Sequence, residues 1–356
     1  ISMIIAAKKS GMQNIIVPKS NLREAKLVHG IKVWGFENLI EVIRFLEGKA
    51  VADQNQTDIS NENDLYEEST LDFKDVKGQD DLIEAVVLAA AGGHNMLMIG
   101  EPGCGKTMIA QRIPTILPEM TKEESLEVTK IYSICGLIQR GHSLITNRPF
   151  RAPHHNASLN ALIGGGANAL PGEVSLAHNG VLFLDELAEF SRKTLDALRQ
   201  PIEDKKVCIS RVNTSNTFPS NFMFITAMNP CLCGYYPSSK CRCTDYEIIK
   251  YRGKISGPIL DRIDIQKEVH PVDFFQLKDM METRSSVELR EQVVRARKIQ
   301  QERYKDNDGI NSNAQMTTSM IQKYCNFDEK SLNILKQRCE EYGYSARVIH
   351  KLLRLA

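Results

Sequence analysis

One glycine-rich octapeptide is the strongest chemical signal in this 356-residue sequence. Residues 100–107 read GEPGCGKT and match the pattern G-x-x-x-x-G-K-[ST] at every fixed position. In such a loop the glycines let backbone N–H groups turn toward the phosphates of a nucleotide such as ATP. We expect Lys106 to reach the β- and γ-phosphates and Thr107 to ligate Mg²⁺. The residues expected to contact the nucleotide are Gly100, Glu101, Pro102, Gly103, Cys104, Gly105, Lys106, Thr107 and Met108.

Two further apolar runs lead into side chains suited to phosphate chemistry. Residues 181–184 are followed by Asp185 and Glu186, and the run 222–227 is followed closely by Asn229. We expect Asp185 to hold Mg²⁺ through water, Glu186 to polarise the attacking water and Asn229 to orient it. The alternative for the acidic pair is a strand that runs into a solvated turn, and the phosphate loop upstream makes that interpretation weaker.

Four of the nine cysteines crowd into one short segment. Two C-x-C pairs, Cys231 with Cys233 and Cys241 with Cys243, stand seven residues apart. Four thiolates at the two ends of such a turn can converge tetrahedrally on Zn²⁺, although free thiols remain the alternative. An extracellular disulfide framework would spread its cysteines to close larger loops, so this crowding, together with the odd total, favours a reducing compartment with one metal site.

A sheet with helices on both faces must position these residues. The runs 96–99, 181–184 and 222–227 have the length of buried strands, and a helix is expected over 108–113. Strands that alternate with helical stretches predict a largely parallel sheet. Further helices are expected over 3–10, 39–46, 192–200, 286–305 and 329–342, and a strand over 14–17, with caps at Thr121–Glu124 and at Ser191.

The composition is typical of a folded, water-soluble protein. Hydrophobic residues make up 42% and charged residues 25%, and the formal net charge is +1. The sequence contains no apolar run of membrane-spanning length and no signal peptide at its start, so we expect a cytoplasmic protein with no membrane partner. Residues 51–73 contain seven acidic residues and no basic ones, which predicts an acidic linker.

Several further segments resemble one known family. Residues 171–180 read PGEVSLAHNG, residues 151–158 read RAPHHNAS, residues 164–166 are GGG, and residues 256–264 read SGPILDRID. With the motifs above, they resemble the magnesium-chelatase-like ComM/YifB family of AAA+ ATPases over essentially the whole chain. The resemblance implies an α/β fold with a P-loop core of three layers (α/β/α), a parallel sheet and a C-terminal helical lid.

The same resemblance implies a domain organisation. Residues 1–50 resemble the C-terminal part of a Lon-protease-like (S5-like) domain, which is expected to be an α/β fragment, and residues 51–73 are the linker. Residues 74–270 correspond to the AAA+ core with its cysteine insert at 231–243, and residues 271–356 to a lid expected to be cut short at its C-terminus. No lysine stands where the Lon dyad needs one, so no peptidase activity is expected.

Two arginines acquire roles only through this resemblance. Arg262 matches the arginine-finger position that reaches the ATP of a neighbouring subunit, and Arg347 resembles the sensor-2 arginine of the lid. Without the resemblance, the favoured interpretations are that Arg262 pairs with Asp261 or Asp264 and that Arg347 is a solvated helix arginine. A finger supplied in trans makes hydrolysis depend on assembly of the subunits.

The family resemblance implies a homo-hexameric ring that assembles with nucleotide and acts on DNA. We expect a DNA translocase or branch-migration helicase in recombination of transforming DNA. The alternatives are a chelatase-type motor that remodels a protein partner for metal insertion and a nucleotide-gated scaffold. Basic clusters (Arg140, Arg148 and Arg151 near the glycines 164–166; Lys250, Arg252 and Lys254) suit DNA or a solvated or subunit-facing surface. His154 and His155 are loop histidines or lie near nucleotide or DNA.

Overall fold

The computed structural model describes residues 1–49, 70–138, 144–210, 215–272, 283–307, 309–325 and 328–356. The chain divides into two compact units. One unit comprises the described parts of Ile1–Glu68 and Glu119–Asn147, and the other those of Ser69–Pro118 and Arg148–Ala356. Most of the predicted linker and Arg140 lie outside the described residues.

The first unit is a small α/β assembly. Its elements are α1 (Ser2–Lys9), β1 (Asn14–Pro18), α2 (Leu22–Lys26), β2 (Lys32–Phe36), α3 (Leu39–Leu46) and α6 (Lys122–Ile134). Strands β1 and β2 pair in parallel, and Ile4, Ala25 and Val28 form a small buried core. The predicted helix over 39–46 and the capping box of Thr121 with Glu124 are confirmed.

The second unit contains a five-stranded parallel sheet. Its strands are β3 (Met96–Gly100), β4 (Phe150–Arg151), β7 (Val181–Leu184), β10 (Met223–Met228) and β11 (Ile265–Val269), in the spatial order β11-β3-β10-β7-β4. Two short antiparallel pairs accompany it, β5 (Gly164–Gly165) with β6 (Leu170–Pro171) and β8 (Lys206–Ser210) with β9 (Ser215–Pro219). All three predicted core strands are present, which confirms the expected α/β class.

Helices cover both faces of this sheet because its strands are apolar on both sides. Phe183 points into one buried cluster and its neighbour Leu182 into the other. The first cluster includes α4 (Asp80–Gly92), α5 (Lys106–Ile116) and α13 (Ser286–Tyr304). The second includes α7 (Leu159–Ile163), α8 (Glu173–Leu176), α9 (Arg192–Ala197), α10 (Arg199–Asp204), α11 (Asp245–Arg252) and α12 (Gly257–Leu260). The predicted three-layer arrangement is therefore present.

The structured core extends past both predicted boundaries. Phe73, which the composition assigned to the linker, is fully buried in the first cluster, and Arg112 Nε donates to the carbonyl of Asp72 at 2.7 Å. At the other end, Leu289 of α13 packs in the same cluster although the sequence assigned it to the lid. An apolar side chain becomes buried when another apolar surface packs against it. The acidic composition around Phe73 and the helical pattern around Leu289 do not show which surface that is.

One helix prediction was wrong in extent. The sequence predicts a single helix over 192–200, whereas α9 ends at Ala197 and α10 starts at Arg199. Pro201 explains the break, because its ring conflicts with the carbonyl of residue 197 in a continuous helix. The remaining helices are α14 (Thr318–Tyr324), α15 (Glu329–Tyr342) and α16 (Ala346–Leu355).

No helix within the described part of the chain combines the length and the apolar composition needed to cross a membrane. All nine cysteines lie within the described residues, and each is a free thiol.

Candidate nucleotide site

The phosphate loop joins the end of β3 directly to α5. Gly103 and Gly105 have φ angles of +80° and +87°, a region that favours glycine. Gly100 is required for a different reason, since a Cβ there would lie 2.4 Å from the carbonyl oxygen of Val269. Helix α5 begins at Lys106, two residues before the predicted start, so its N-terminal N–H groups face the loop as phosphate binding demands.

Lys106 is the central cation of this loop. Its side chain is 8% exposed, and Nζ donates to the carbonyl oxygens of Gly100 at 2.7 Å and Glu101 at 2.9 Å. The same Nζ lies 3.5 Å from Oδ1 of Asn229, at the end of β10. The ammonium group therefore stands between the phosphate loop and the adjacent strand, where it can exchange carbonyl oxygens for phosphate oxygens.

Thr107 and Asp185 bring two hard oxygen ligands together. Thr107 Oγ1 donates to Asp185 Oδ2 at 2.6 Å, and Asp185 Oδ1 accepts the backbone N–H of Glu186 at 2.9 Å. Hydroxyl and carboxylate oxygens are the ligands that Mg²⁺ prefers when it also contacts phosphate. The donor set thus fits the magnesium site expected from the sequence.

Glu186 is held by a histidine that sequence reasoning did not assign to it. Glu186 has a left-handed backbone with φ of +53°, and its Oε2 lies 3.1 Å from Nδ1 of His155. The rings of His155 and His154 are 4.1 Å apart, centroid to centroid. Both histidines follow β4, the sheet neighbour of β7, so strand order is the signal that could have placed them near Glu186.

The site residues meet because three neighbouring parallel strands end at the same edge of the sheet. Strands β3, β10 and β7 carry the phosphate loop, Asn229 and the acidic pair at their carboxyl ends. Ligand sites of open α/β sheets lie at this edge. The structure therefore brings Lys106, Thr107, Asp185 and Asn229 into one constellation, with Glu186 beside it.

The two predicted arginines make contacts away from this constellation. Arg262 Nη2 pairs with Glu203 Oε1 at 2.6 Å, Nη1 donates to the carbonyl of Pro258 at 2.6 Å, and Nε donates to that of Arg199 at 3.2 Å. Among the contacts of the described residues, Arg262 pairs with neither Asp261 nor Asp264. Arg347 is instead the residue close to Asp261, with Nη1 3.7 Å from Oδ2.

The first basic cluster is built into the fold. Arg151 forms two hydrogen bonds with Glu173 at 2.6 and 2.7 Å, and Arg148 Nη1 donates to the carbonyl of Asn179 at 2.7 Å. Gly164 lies in the β5–β6 ladder, where a Cβ would come within 2.6 Å of Cδ1 of Ile209. Arg148 and Arg151 therefore pair with groups of their own chain, and Gly164 permits a close approach of neighbouring segments.

The second basic cluster lies on or just after α11 and is exposed. Arg252 donates from Nε to the carbonyl of Pro230 at 3.1 Å, and its guanidinium lies 5.2 Å from the ring centroid of Tyr236. Lys254 pairs with Glu189 at 3.1 Å. Lys250 lies 6.0 Å from the ring centroid of Tyr246, which is 72% exposed. This surface therefore presents positive charge beside exposed aromatic rings.

The four cysteines of the insert form one cluster. Their sulfur atoms all lie within 4.8 Å of one another. Backbone N–H groups of Arg242 and Tyr235 lower the pKa of the Cys233 thiol to about 6. The structure therefore brings together the thiols that the spacing predicted to converge.

Comparison with known proteins identifies relatives over the whole chain. The family model for magnesium chelatase subunit ChlI matches residues 72–277, and the model for the C-terminal part of that subunit matches residues 283–356. The chain is 39% identical to competence protein ComM of Haemophilus influenzae over 364 residues, which cover all of this chain and 69% of that protein. It is also 39% identical to YifB of Escherichia coli over 357 residues, covering 100% and 68% of the two chains.

A weaker similarity links the chain to Lon protease 2 of Bacillus subtilis. The two are 27% identical over 201 residues, which cover 49% of this chain and 35% of that protein. An alignment of this length extends well beyond residues 1–50, the part that resembles a Lon-like domain.

Proposed function

The chain belongs to the magnesium-chelatase-like ComM/YifB family of AAA+ ATPases, and from this premise we propose that it is an ATP-driven ring motor acting on DNA. The observation that carries the proposal is the constellation at the sheet edge. There Lys106 Nζ lies 3.5 Å from Asn229 Oδ1, and Thr107 Oγ1 lies 2.6 Å from Asp185 Oδ2.

In the proposed reaction, Lys106 exchanges its carbonyl partners for the β- and γ-phosphate oxygens of ATP. Thr107 and Asp185 hold Mg²⁺, which neutralises charge on the phosphates when it is bound. Asn229, beside the ammonium group of Lys106, orients the attacking water. Glu186 accepts a proton from that water as a general base.

His155 has a positioning role in this scheme. Its Nδ1 lies 3.1 Å from Glu186 Oε2, and the side chain of Glu186 is 54% exposed. A partner on the adjacent strand end restricts where the carboxylate points. We therefore propose that His155 sets the direction from which Glu186 takes its proton.

We assign Arg262 to the ATP of a neighbouring subunit and Arg347 to the lid contact with nucleotide in the same subunit. In the isolated chain Arg262 is anchored by Glu203 and by two carbonyl oxygens. A role in trans requires the guanidinium group to exchange these partners for phosphate oxygens when subunits assemble. The proposed assembly is a nucleotide-dependent homo-hexamer, the common architecture of this type of motor.

The proposed substrate is DNA, which the motor translocates or branch-migrates during recombination of transforming DNA. Support comes from the similarity to a protein named for competence and from the exposed cluster Lys250, Arg252 and Lys254. Basic groups beside exposed aromatic rings suit a nucleic acid backbone and its bases. The first basic cluster is the weaker candidate because Arg148 and Arg151 are tied into the fold.

The proposed cofactors are ATP, Mg²⁺ and a structural Zn²⁺ at the cysteine cluster. A cysteine cluster that holds a metal and forms no disulfide is typical of a reducing compartment, so we propose a cytoplasmic site of action. The first unit, with its parallel β1–β2 pair, is proposed to be the C-terminal part of a Lon-like domain.

A chelatase-type motor acting on a protein is the second candidate, favoured by the match to magnesium chelatase subunit ChlI over residues 72–277. The deciding experiment compares the ATPase rate of the full-length protein alone, with single-stranded DNA and with forked DNA. We expect severalfold stimulation that weakens steeply as salt rises from about 50 to 200 mM. Hydrolysis that DNA does not change at low salt would contradict the DNA motor and favour the chelatase type. Nucleotide-dependent assembly without hydrolysis would contradict both and favour a scaffold.

A further inference from the structure

The distances between the cysteine sulfurs match a single tetrahedral metal site. Cys231 Sγ lies 3.4 Å from that of Cys233 and 3.8 Å from that of Cys241, and the sulfurs of Cys233 and Cys241 are 3.6 Å apart. A zinc ion with four bonds of about 2.3 Å separates its sulfur ligands by about 3.8 Å. Disulfides require about 2.0 Å, so the cluster has the spacing of a metal site.

One backbone amide already faces these sulfurs. The N–H of Cys233 donates to Cys243 Sγ at 3.4 Å. Amide hydrogen bonds of this kind orient metal ligands and stabilise negative charge on sulfur. The loop is therefore folded around the cluster.

Both ends of the cysteine segment lie close to Asn229. Cys231 follows Asn229 by two residues and is fully buried. At the other end, α11 starts two residues after Cys243 and returns to the same place. Its Arg252 Nε donates to the carbonyl of Pro230, the residue after Asn229, at 3.1 Å. A metal bound by both C-x-C pairs would link the two ends of this segment to each other beside Asn229.

The middle of the segment packs against the phosphate loop. Gly234 has φ of +89°, and a Cβ built on it would lie 2.8 Å from both Cγ and Cδ of Pro102. The same point is 3.9 Å from Cγ of Asn229. The cysteine segment thus touches two parts of the nucleotide site, the phosphate loop and the strand-end amide.

We propose that one zinc ion bound by Cys231, Cys233, Cys241 and Cys243 fixes residues 230–243 against the nucleotide site and so holds Pro102 and Asn229 in place. The metal acts on structure and leaves the chemistry to the phosphate loop and the acidic pair. The consequence for hydrolysis rests on the proposed ATPase function, whereas zinc binding and ordering of the loop do not.

The first test measures metal content in full-length protein purified without chelators. We expect about one zinc per chain in the wild type, retained in Cys208→Ser and lost in the double variant Cys241→Ser/Cys243→Ser. Cys208 is the matched control because it is an exposed thiol on β8, outside the cluster. Iron in place of zinc, or no metal in the wild type, would overturn the proposal. Replacement of the metal by Co²⁺ should give the visible absorption of a tetrahedral thiolate site.

The second test uses the wild-type chain, so it does not depend on whether a cysteine variant folds. Hydrogen exchange is measured before and after zinc removal with a high-affinity chelator, and again after zinc is restored. We expect exchange on the order of tenfold faster in peptides covering 229–243 and 100–108, reversed by zinc, with α15 unchanged. Faster exchange confined to 231–243 would show that zinc orders only the cysteine segment, and it would overturn the proposed coupling between the metal and the nucleotide site.

The two tests separate this inference from the proposed function. If the wild type binds zinc and shows coupled exchange but hydrolyses no ATP, the ATPase proposal fails and the metal coupling stands. If hydrolysis is normal and unchanged after complete zinc removal, the ATPase stands and the coupling fails. Affinity for a fluorescent ATP analogue adds a readout without turnover, and it should fall severalfold on zinc removal.

Discussion

The sheet edge that holds the phosphate loop and the corner that holds Arg262 are built in opposite ways. At the edge, Thr107 Oγ1 donates to Asp185 Oδ2 at 2.6 Å, and Lys106 Nζ lies 3.5 Å from Oδ1 of Asn229. At the corner, Arg262 is occupied by Glu203 and by two carbonyl oxygens of its own chain. One chain therefore brings together the groups proposed to bind phosphate and magnesium, but keeps its predicted finger engaged elsewhere.

This difference indicates how hydrolysis could depend on assembly. A prearranged phosphate site favours nucleotide binding by a single subunit. An arginine held by its own chain contributes to turnover only after it exchanges these partners for the phosphate oxygens of ATP in a neighbouring subunit. The restraint on Arg262 is modest, since the side chain of Glu203 is 61% exposed and exposed pairs contribute at most about 1 kcal/mol.

The largest effect should come from removing the arginine finger. Arg262→Ala is expected to lower turnover of the assembled protein by roughly 10³–10⁵-fold, because the charge that stabilises the transition state is lost. ATP affinity should stay unchanged, since the phosphate loop is intact. Steady-state hydrolysis and equilibrium binding of a fluorescent ATP analogue measure the two quantities. Loss of binding in this variant would place Arg262 within its own subunit's site.

A smaller effect is expected at His155. His155→Ala should lower kcat by about tenfold and leave KM unchanged, because Glu186 loses the partner that fixes its carboxylate. His154→Ala is the matched control, since it removes the ring whose centroid lies 4.1 Å from that of His155 but not the contact with Glu186. Equal losses in both variants would mean that the ring pair matters and the contact with Glu186 does not.

The smallest effect should come from releasing Arg262 from its own chain. Glu203→Ala is expected to raise hydrolysis of the assembled protein, by at most about fivefold, because the finger no longer has to leave an ion pair. The neighbouring Asp204→Ala variant removes the carboxylate that accepts a hydrogen bond from Gln200 at 3.2 Å, and it should leave the rate unchanged. A lower rate in Glu203→Ala would mean that Glu203 positions the finger.

The sequence predicted the elements that depend on local pattern. Strand β7 and helix α15 have the predicted bounds, 181–184 and 329–342, because apolar runs and capping residues are read from neighbours in the chain. The phosphate loop could also be predicted, since the glycines of its motif permit the backbone conformation that phosphate binding requires. Pro201 shows that a local signal can also be overlooked, because its place in the chain already predicts the helix break.

Contacts between distant segments could not be predicted. Nothing in the spacing links His155 to Glu186, Glu203 to Arg262, or Gly234 to Pro102, because each pair meets only when the sheet order is set. Arg151 was expected on a surface that suits DNA, a neighbouring subunit or solvent. Its two hydrogen bonds to Glu173 instead make it part of the fold. Partners of charged groups depend on tertiary structure, which a single sequence does not display.

Mixing two inactive variants tests the trans role of Arg262 most directly. Glu186→Gln lacks the general base, and Arg262→Ala lacks the finger, so each alone should be nearly inactive while still binding ATP. In an equal mixture, about a quarter of the interfaces should combine an intact Glu186 with an intact Arg262 from the neighbour. We predict that ATPase activity returns on mixing. A mixture as inactive as its components, although mixed assemblies form, would contradict a finger supplied by the neighbouring subunit.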